Sequence, residues 1–150
     1  MDGKLVVVTG ANAGIGLWTA VGLARRGARI VATARNESKG ARAVDEIRRR
    51  SGSDAVSYAV ADFASLAEVR RLATDLAERH DAIDVLVNNA GLIQGRRTET
   101  GDGFETTFAV NHLAPFLLTL RLRESLQAAP AARVVNVASR AHVRAALDFD

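Results

Sequence analysis

Continuous apolar runs alternate along this chain with segments whose apolar residues recur every third or fourth position. Residues 4–9 form an apolar run bounded by glycine, the pattern of a strand covered on both faces. Residues 10–16 are glycine-rich, and 15–26 read as a buried helix stopped at Gly27. A second strand over 29–34 precedes a helix over 38–50, with Ala41, Val44 and Ile47 at helical spacing and Gly52 just past its end. Residues 56–60 read as a third strand. The cleanest amphipathic helix is 65–79: Leu66, Val69, Leu72, Ala73 and Leu76 make one stripe, and Ser65 followed by Glu68 is a capping box. A fourth strand is expected over 83–87, a segment without period over 92–103, a long apolar helix over 104–126 and a fifth strand over 133–137.

Strands separated by helices require right-handed crossovers and hence a parallel sheet, so the expectation is one α/β domain over residues 1–150. Folds of this kind take ligands outside the carboxyl ends of the strands, where strand order reverses. The loops after strands one, two, four and five are therefore the ones to inspect.

Composition removes several classes of function. At 48% hydrophobic and 25% charged, the 150 residues exclude intrinsic disorder. A chain of this length can bury about 70% of its unfolded surface. No apolar run reaches the roughly 18 residues of a membrane helix, so no membrane partner is expected. Met1 to Lys4 lead straight into the first strand and leave no room for a signal peptide, which gives a cytoplasmic expectation. Cysteine is absent, and His80, His112 and His142 lack ligand spacing, so no metal site is expected. The net charge is only +3, and apart from Lys4 and Lys39 the cations are all Arg. Arg48-Arg49-Arg50 sits where cations favour a helix C-terminus and reads as a solvated helix end. With few aromatics and no recognition motif, nucleic acid is not an expected partner.

The chemistry begins at Thr9-Gly10-Ala11-Asn12-Ala13-Gly14-Ile15-Gly16, whose glycines are spaced Gly-x-x-x-Gly-x-Gly between strand and helix. Backbone N–H groups in such a turn can approach a pyrophosphate, and the helix N-terminus adds about half a positive charge. A strand before it and a helix after it supply the context that dinucleotide binding requires.

With three further motifs the chain resembles the short-chain dehydrogenase/reductase family over essentially its whole length, most closely its retinol-dehydrogenase-like branch. Asn88-Asn89-Ala90-Gly91 closes strand four, Val110-Asn111-His112-Leu113 falls in the long helix expected over 104–126, and Val135-Asn136-Val137-Ala138-Ser139 ends strand five. The resemblance implies a Rossmann-type doubly wound sheet of order 3-2-1-4-5, truncated before the last strands and the catalytic helix. It implies hydride transfer between a nicotinamide cofactor and a small-molecule alcohol or carbonyl, in a full-length form that is a homo-oligomer. Gly10, Asn12, Gly14, Ile15, Gly16, Arg35, Asp62, Phe63, Asn89, Ala90 and Gly91 are the expected cofactor-binding residues. Asn88 is expected to tie neighbouring strands together.

Cofactor choice turns on the end of strand two. NAD-selective sites place a carboxylate there, whereas Arg accommodates a 2′-phosphate. Here Ala34-Arg35-Asn36 offers a forked donor and no carboxylate, which favours NADP and leaves NAD open. Ala13 departs from the basic residue that many NADP-preferring relatives carry.

By resemblance, Ser139 hydrogen-bonds the substrate oxygen and Asn111 holds a relay water through its backbone carbonyl. Pro115 supports the second role independently, because it has no N–H to offer the carbonyl four residues before it. The family's Tyr-x-x-x-Lys pair has no counterpart here: Tyr58 lies in strand three with Asp62 four residues on. The expectation is an oxidoreductase fragment inactive alone, the alternative a non-catalytic NADP(H)-binding module or sensor. A strand five left at the sheet edge is expected to be open.

Overall fold

The computed structural model describes residues 1–140 and 143. Five parallel strands form one sheet in the order β3-β2-β1-β4-β5: β1 Leu5–Val8, β2 Arg29–Ala34, β3 Val56–Val60, β4 Val85–Asn88 and β5 Arg133–Asn136. The central strand is four consecutive buried residues, and its period of two divides them between the sheet's two faces. Val6 and Val8 pack with Val21, Ile30 and Ile47 under helices α1 (Gly14–Ala24) and α2 (Glu37–Ser51). Leu5 and Val7 pack on the other side with Leu72, Leu76 and Leu118, under α3 (Leu66–Arg79) and the helices before β5.

Helices α2 and α3 start where a side chain caps them. Asn36 caps α2 by accepting from the Lys39 N–H at 3.0 Å, and Gly52 ends it in the left-handed region at φ +76°. Ser65 caps α3 by accepting from the Glu68 N–H at 3.3 Å. The expected return bond from Glu68 goes elsewhere: its carboxylate accepts from the Asp62 N–H at 2.8 Å, three residues upstream of the cap.

The long helix expected over 104–126 is broken into four pieces: α4 Thr106–Phe108, a π-helical turn Ala109–Leu113, α5 Ala114–Arg121 and α6 Arg123–Gln127. Pro115 supplies the reason. Because it cannot donate, the ladder widens by a residue just before it, and the Ala114 N–H reaches back to the Ala109 carbonyl. The fourth strand also starts later than expected, since the Ile83 N–H bonds the Ser125 carbonyl beside α6 and not the sheet. Residues 92–103 fold back on themselves: Glu99 bridges Glu105, and the Asp102 carboxylate accepts from the first N–H of α3 at 2.9 Å. Among the described residues no strand pairs with the outer edge of β5, where Val134 and Val135 are 41% and 44% exposed.

Candidate functional site

All five strands point the same way, so the loops after β1, β2, β4 and β5 emerge along one edge of the sheet. Thr9 is the pivot of that edge. Buried to 1%, its hydroxyl donates to the Val87 carbonyl at 3.3 Å and accepts from the N–H groups of Asn89 and Ala90, both at 2.9 Å. One hydroxyl hydrogen and two lone pairs are thereby used up. Thr33, also buried, does the same for the second strand: its hydroxyl accepts from the Gly10 N–H at 3.2 Å and its carbonyl from the Ala11 N–H at 3.2 Å. Sequence reasoning missed both threonines; their only signal is a polar residue ending, or nearly ending, an otherwise apolar strand.

The glycine loop is held against the β4 loop by Asn89, whose side-chain amide donates to the carbonyls of Thr9 (2.8 Å) and Gly10 (3.3 Å). A Cβ on Gly16 would lie 2.3 Å from that amide nitrogen, and one on Gly10 would lie 2.9 Å from the Ala90 Cα. Gly10 and Gly16 are thus small for the protein's own packing. Gly14 differs: it sits at φ +54° with nothing within 4 Å of the position a Cβ would take. Helix α1 opens beside it with no side-chain cap and no acidic residue in its first turn. Asn12, just before the helix, and Gly14 and Ile15, its first two residues, are all exposed.

Arg35 follows β2, exposed and without an ion pair among the described residues. Asp62 follows β3, where its Oδ1 accepts from the Ala64 N–H at 2.9 Å, committing one oxygen to the turn before α3. The Phe63 side chain is buried in the core beneath. Asn88 donates to the Asn136 side chain at 2.9 Å and to the Thr119 hydroxyl at 3.1 Å, joining β4, β5 and α5 as expected.

Asn111 lies within the π-helical turn. Its side chain makes a paired contact with one backbone unit, accepting from the Leu92 N–H at 2.9 Å and donating to the Leu92 carbonyl at 2.8 Å. Gly91 leaves room for that contact, since a Cβ there would already meet the Asn111 Oδ1 at 3.3 Å. The side chain is thereby engaged, and Pro115 has no N–H to offer the Asn111 backbone carbonyl. Ser139 is exposed just past β5, three residues beyond Asn136. His142 lies outside the described residues.

Tyr58 is elsewhere. It stands on β3, at the sheet edge opposite β5, and its hydroxyl donates to the Glu37 carboxylate at 2.6 Å. That bond and the charge behind it push the phenol above its ordinary value. A tyrosine that exchanges a proton near neutrality needs the opposite shift. Among the described residues no cluster of His, Asp or Glu could hold a metal, and no helix is long and apolar enough to cross a membrane.

The short chain dehydrogenase family model matches residues 4–147. This chain belongs to that family. It is 43% identical to human retinol dehydrogenase 13 across all 150 of its residues, which cover 45% of that protein. It is 46% identical to human dehydrogenase/reductase SDR family member 13 over 149 residues, 39% of the relative. The chain thus spans less than half the length of these curated relatives. A solved structure of an uncharacterized protein from Mycobacterium paratuberculosis superposes with a TM-score of 0.81 at 38% identity, covering 94% of this chain and 48% of the other. The RhlG/NADP active-site complex from Pseudomonas aeruginosa superposes at 0.75 and 34% identity, over 89% and 54%.

Proposed function

We propose that this chain binds NADP(H) and forms the cofactor half of an oxidoreductase acting on a small alcohol or carbonyl. The carrying observation is the uncapped, acid-free start of α1 beside Gly14, with Arg35 at the end of β2 in no ion pair among the described residues. Bound there, the cofactor would supply a hydride donor or acceptor. Gly10, Asn12, Gly14, Ile15 and Gly16 border its diphosphate, and Arg35 takes the 2′-phosphate through its fork of donors. Asp62 and the backbone of Phe63 border the adenine, while Asn89, Ala90 and Gly91 line the path toward Ser139. Ser139 orients the substrate oxygen, and the Asn111 carbonyl holds a water.

Proton transfer sets a limit on what these residues do alone. Tyr58 is the chain's one tyrosine and is tied to Glu37, so no Tyr–Lys pair in these residues can move a proton to the substrate. Binding without turnover is the expected behaviour of the isolated chain. The same observation sustains the second reading, a binding module that never turns over.

Calorimetry with NADPH and NADH tests the proposal. NADPH should bind more tightly than NADH, and Arg35→Ala should remove that preference while leaving NADH binding intact. Absence of heat with either nucleotide on a folded sample would refute it. Carbonyl reduction by the isolated chain would refute the limit.

A further inference from the structure

We propose that Glu68 and Asp102 are positioning residues that aim the Asp62 carboxylate at the 6-amino group of adenine, so that the protein selects the base as well as the phosphates. The inference rests on the cofactor reading above and extends it to two residues outside the glycine loop and its companion motifs. It starts from a rung of the sheet. The Ala61 N–H donates to the Ala34 carbonyl at 3.0 Å, so Arg35 and Asp62 are the first residues past that rung, one on each strand. Adenine and the 2′-phosphate hang on one ribose, so the groups that hold them must be neighbours.

Asp62 has little freedom. Its N–H donates to the Glu68 Oε2 at 2.8 Å, its carbonyl accepts from the Ser65 N–H at 3.0 Å, and its Oδ1 accepts from the Ala64 N–H at 2.9 Å. Its Oδ2 has no partner among the described residues. Glu68 is held in turn: Arg71 lies 3.9 Å from its Oε2 and donates to the Val60 carbonyl at 2.9 Å, which ties the carboxylate to the end of β3. The helix that carries Glu68 is pinned from 36 residues away. Residues 98–106 pair as a hairpin, with the Thr106 N–H on the Thr98 carbonyl at 2.9 Å and the Thr100 N–H on the Phe104 carbonyl at 2.8 Å. Asp102, in the turn of that hairpin, accepts from the Leu66 N–H at 2.9 Å. An acceptor preset in this way leaves little ordering to be done on binding. An ionised carboxylate offers acceptors only, so it pairs with an amino group and repels a carbonyl. Adenine carries an amino group at its 6-position, and hypoxanthine a carbonyl.

Calorimetry of NADPH against its hypoxanthine analogue reads the choice of base. NADPH should bind about tenfold more tightly. Glu68→Ala and Asp102→Ala should each shrink that ratio to about threefold or less, and Glu68→Gln and Asp102→Asn, which keep an acceptor, should restore it. The ratio of NADPH to NADH affinity, set at Arg35, should stay the same in all four variants, which separates aiming from a general loosening of the fold. Asp62→Asn gives the sharpest sign. The Ala64 N–H requires an acceptor at the Oδ1 position, so the amide nitrogen takes the place of Oδ2 and the preference should reverse toward hypoxanthine. Three results, each with NADPH still bound, overturn this inference and leave the cofactor reading standing: a ratio near one in the native chain, a ratio unmoved by both alanine variants, or an unchanged preference in Asp62→Asn. Failure of a folded sample to take up either nucleotide overturns the cofactor reading and this inference together.

Discussion

The side chain of Asn89 occupies the space that a methyl group on Gly16 would need, the two separated by 2.3 Å in that hypothetical contact. A residue from the fourth strand's loop thus sits inside the glycine turn of the first crossover, and the turn's shape depends on it.

Gly16→Ala should therefore destabilise the fold by about 1–3 kcal/mol, as overpacking does, and weaken nucleotide binding as Asn89 is displaced. Gly22→Ala, in the same helix with nothing within 4 Å, should stabilise it by about 0.5–1 kcal/mol. Chemical denaturation of the pair gives the two signs. A loss of stability from both would show that α1 tolerates no side chain for another reason.

Thr9→Val keeps the shape of the pivot and removes its hydroxyl, stranding the N–H groups of Asn89 and Ala90. The cost should be about 1–3 kcal/mol, and Thr9→Ser should recover most of it. Equal losses in both variants would point to the methyl group's packing instead.

Asn111→Ala severs both bonds to the Leu92 backbone. Amide exchange at Leu92 should accelerate at least tenfold, with little change at Leu118 in the buried face of α5. Unchanged exchange at Leu92 would mean that the loop holds itself.

Because Tyr58 is the one tyrosine, its phenolate can be followed by near-ultraviolet absorbance alone. Its midpoint should lie above the ordinary tyrosine value, and Glu37→Gln should bring it down. A folded-state pKa raised above the unfolded one contributes stability that is fully present below about pH 10 and lost as pH rises through the folded midpoint. Loss of the Glu37 contact should therefore leave alkaline unfolding less steep. A midpoint unaffected by Glu37→Gln would remove the hydrogen bond as its cause.

The strands were legible because each is a short apolar run between breakers, and sheet order followed from the family resemblance. Boundaries of β2 and β3 are as the pattern predicts, whereas β4 lost Ile83 to a bond with Ser125 that no local pattern encodes. The segmentation of the long helix was half legible: Pro115 announces a disturbance, but its relief as a π-helical turn upstream depends on which N–H groups reach which carbonyls. In the site, the glycine loop and Asn111 were readable as motifs. What the motifs concealed is division of labour. Gly10 and Gly16 serve Asn89 and Ala90, Gly14 serves the open face, and Thr9 and Thr33 hold the arrangement through hydroxyls that composition cannot reveal.

The position of β1 at the sheet's centre bears on how the chain is made. Its partner on one flank begins at Arg29, but its partner on the other begins at Val85. At a synthesis rate of about 5–20 residues per second, β1's second flank waits roughly 4–16 s on the ribosome for β4 to emerge. During that interval a row of valines stands uncovered in the nascent polypeptide, a natural landing place for a chaperone.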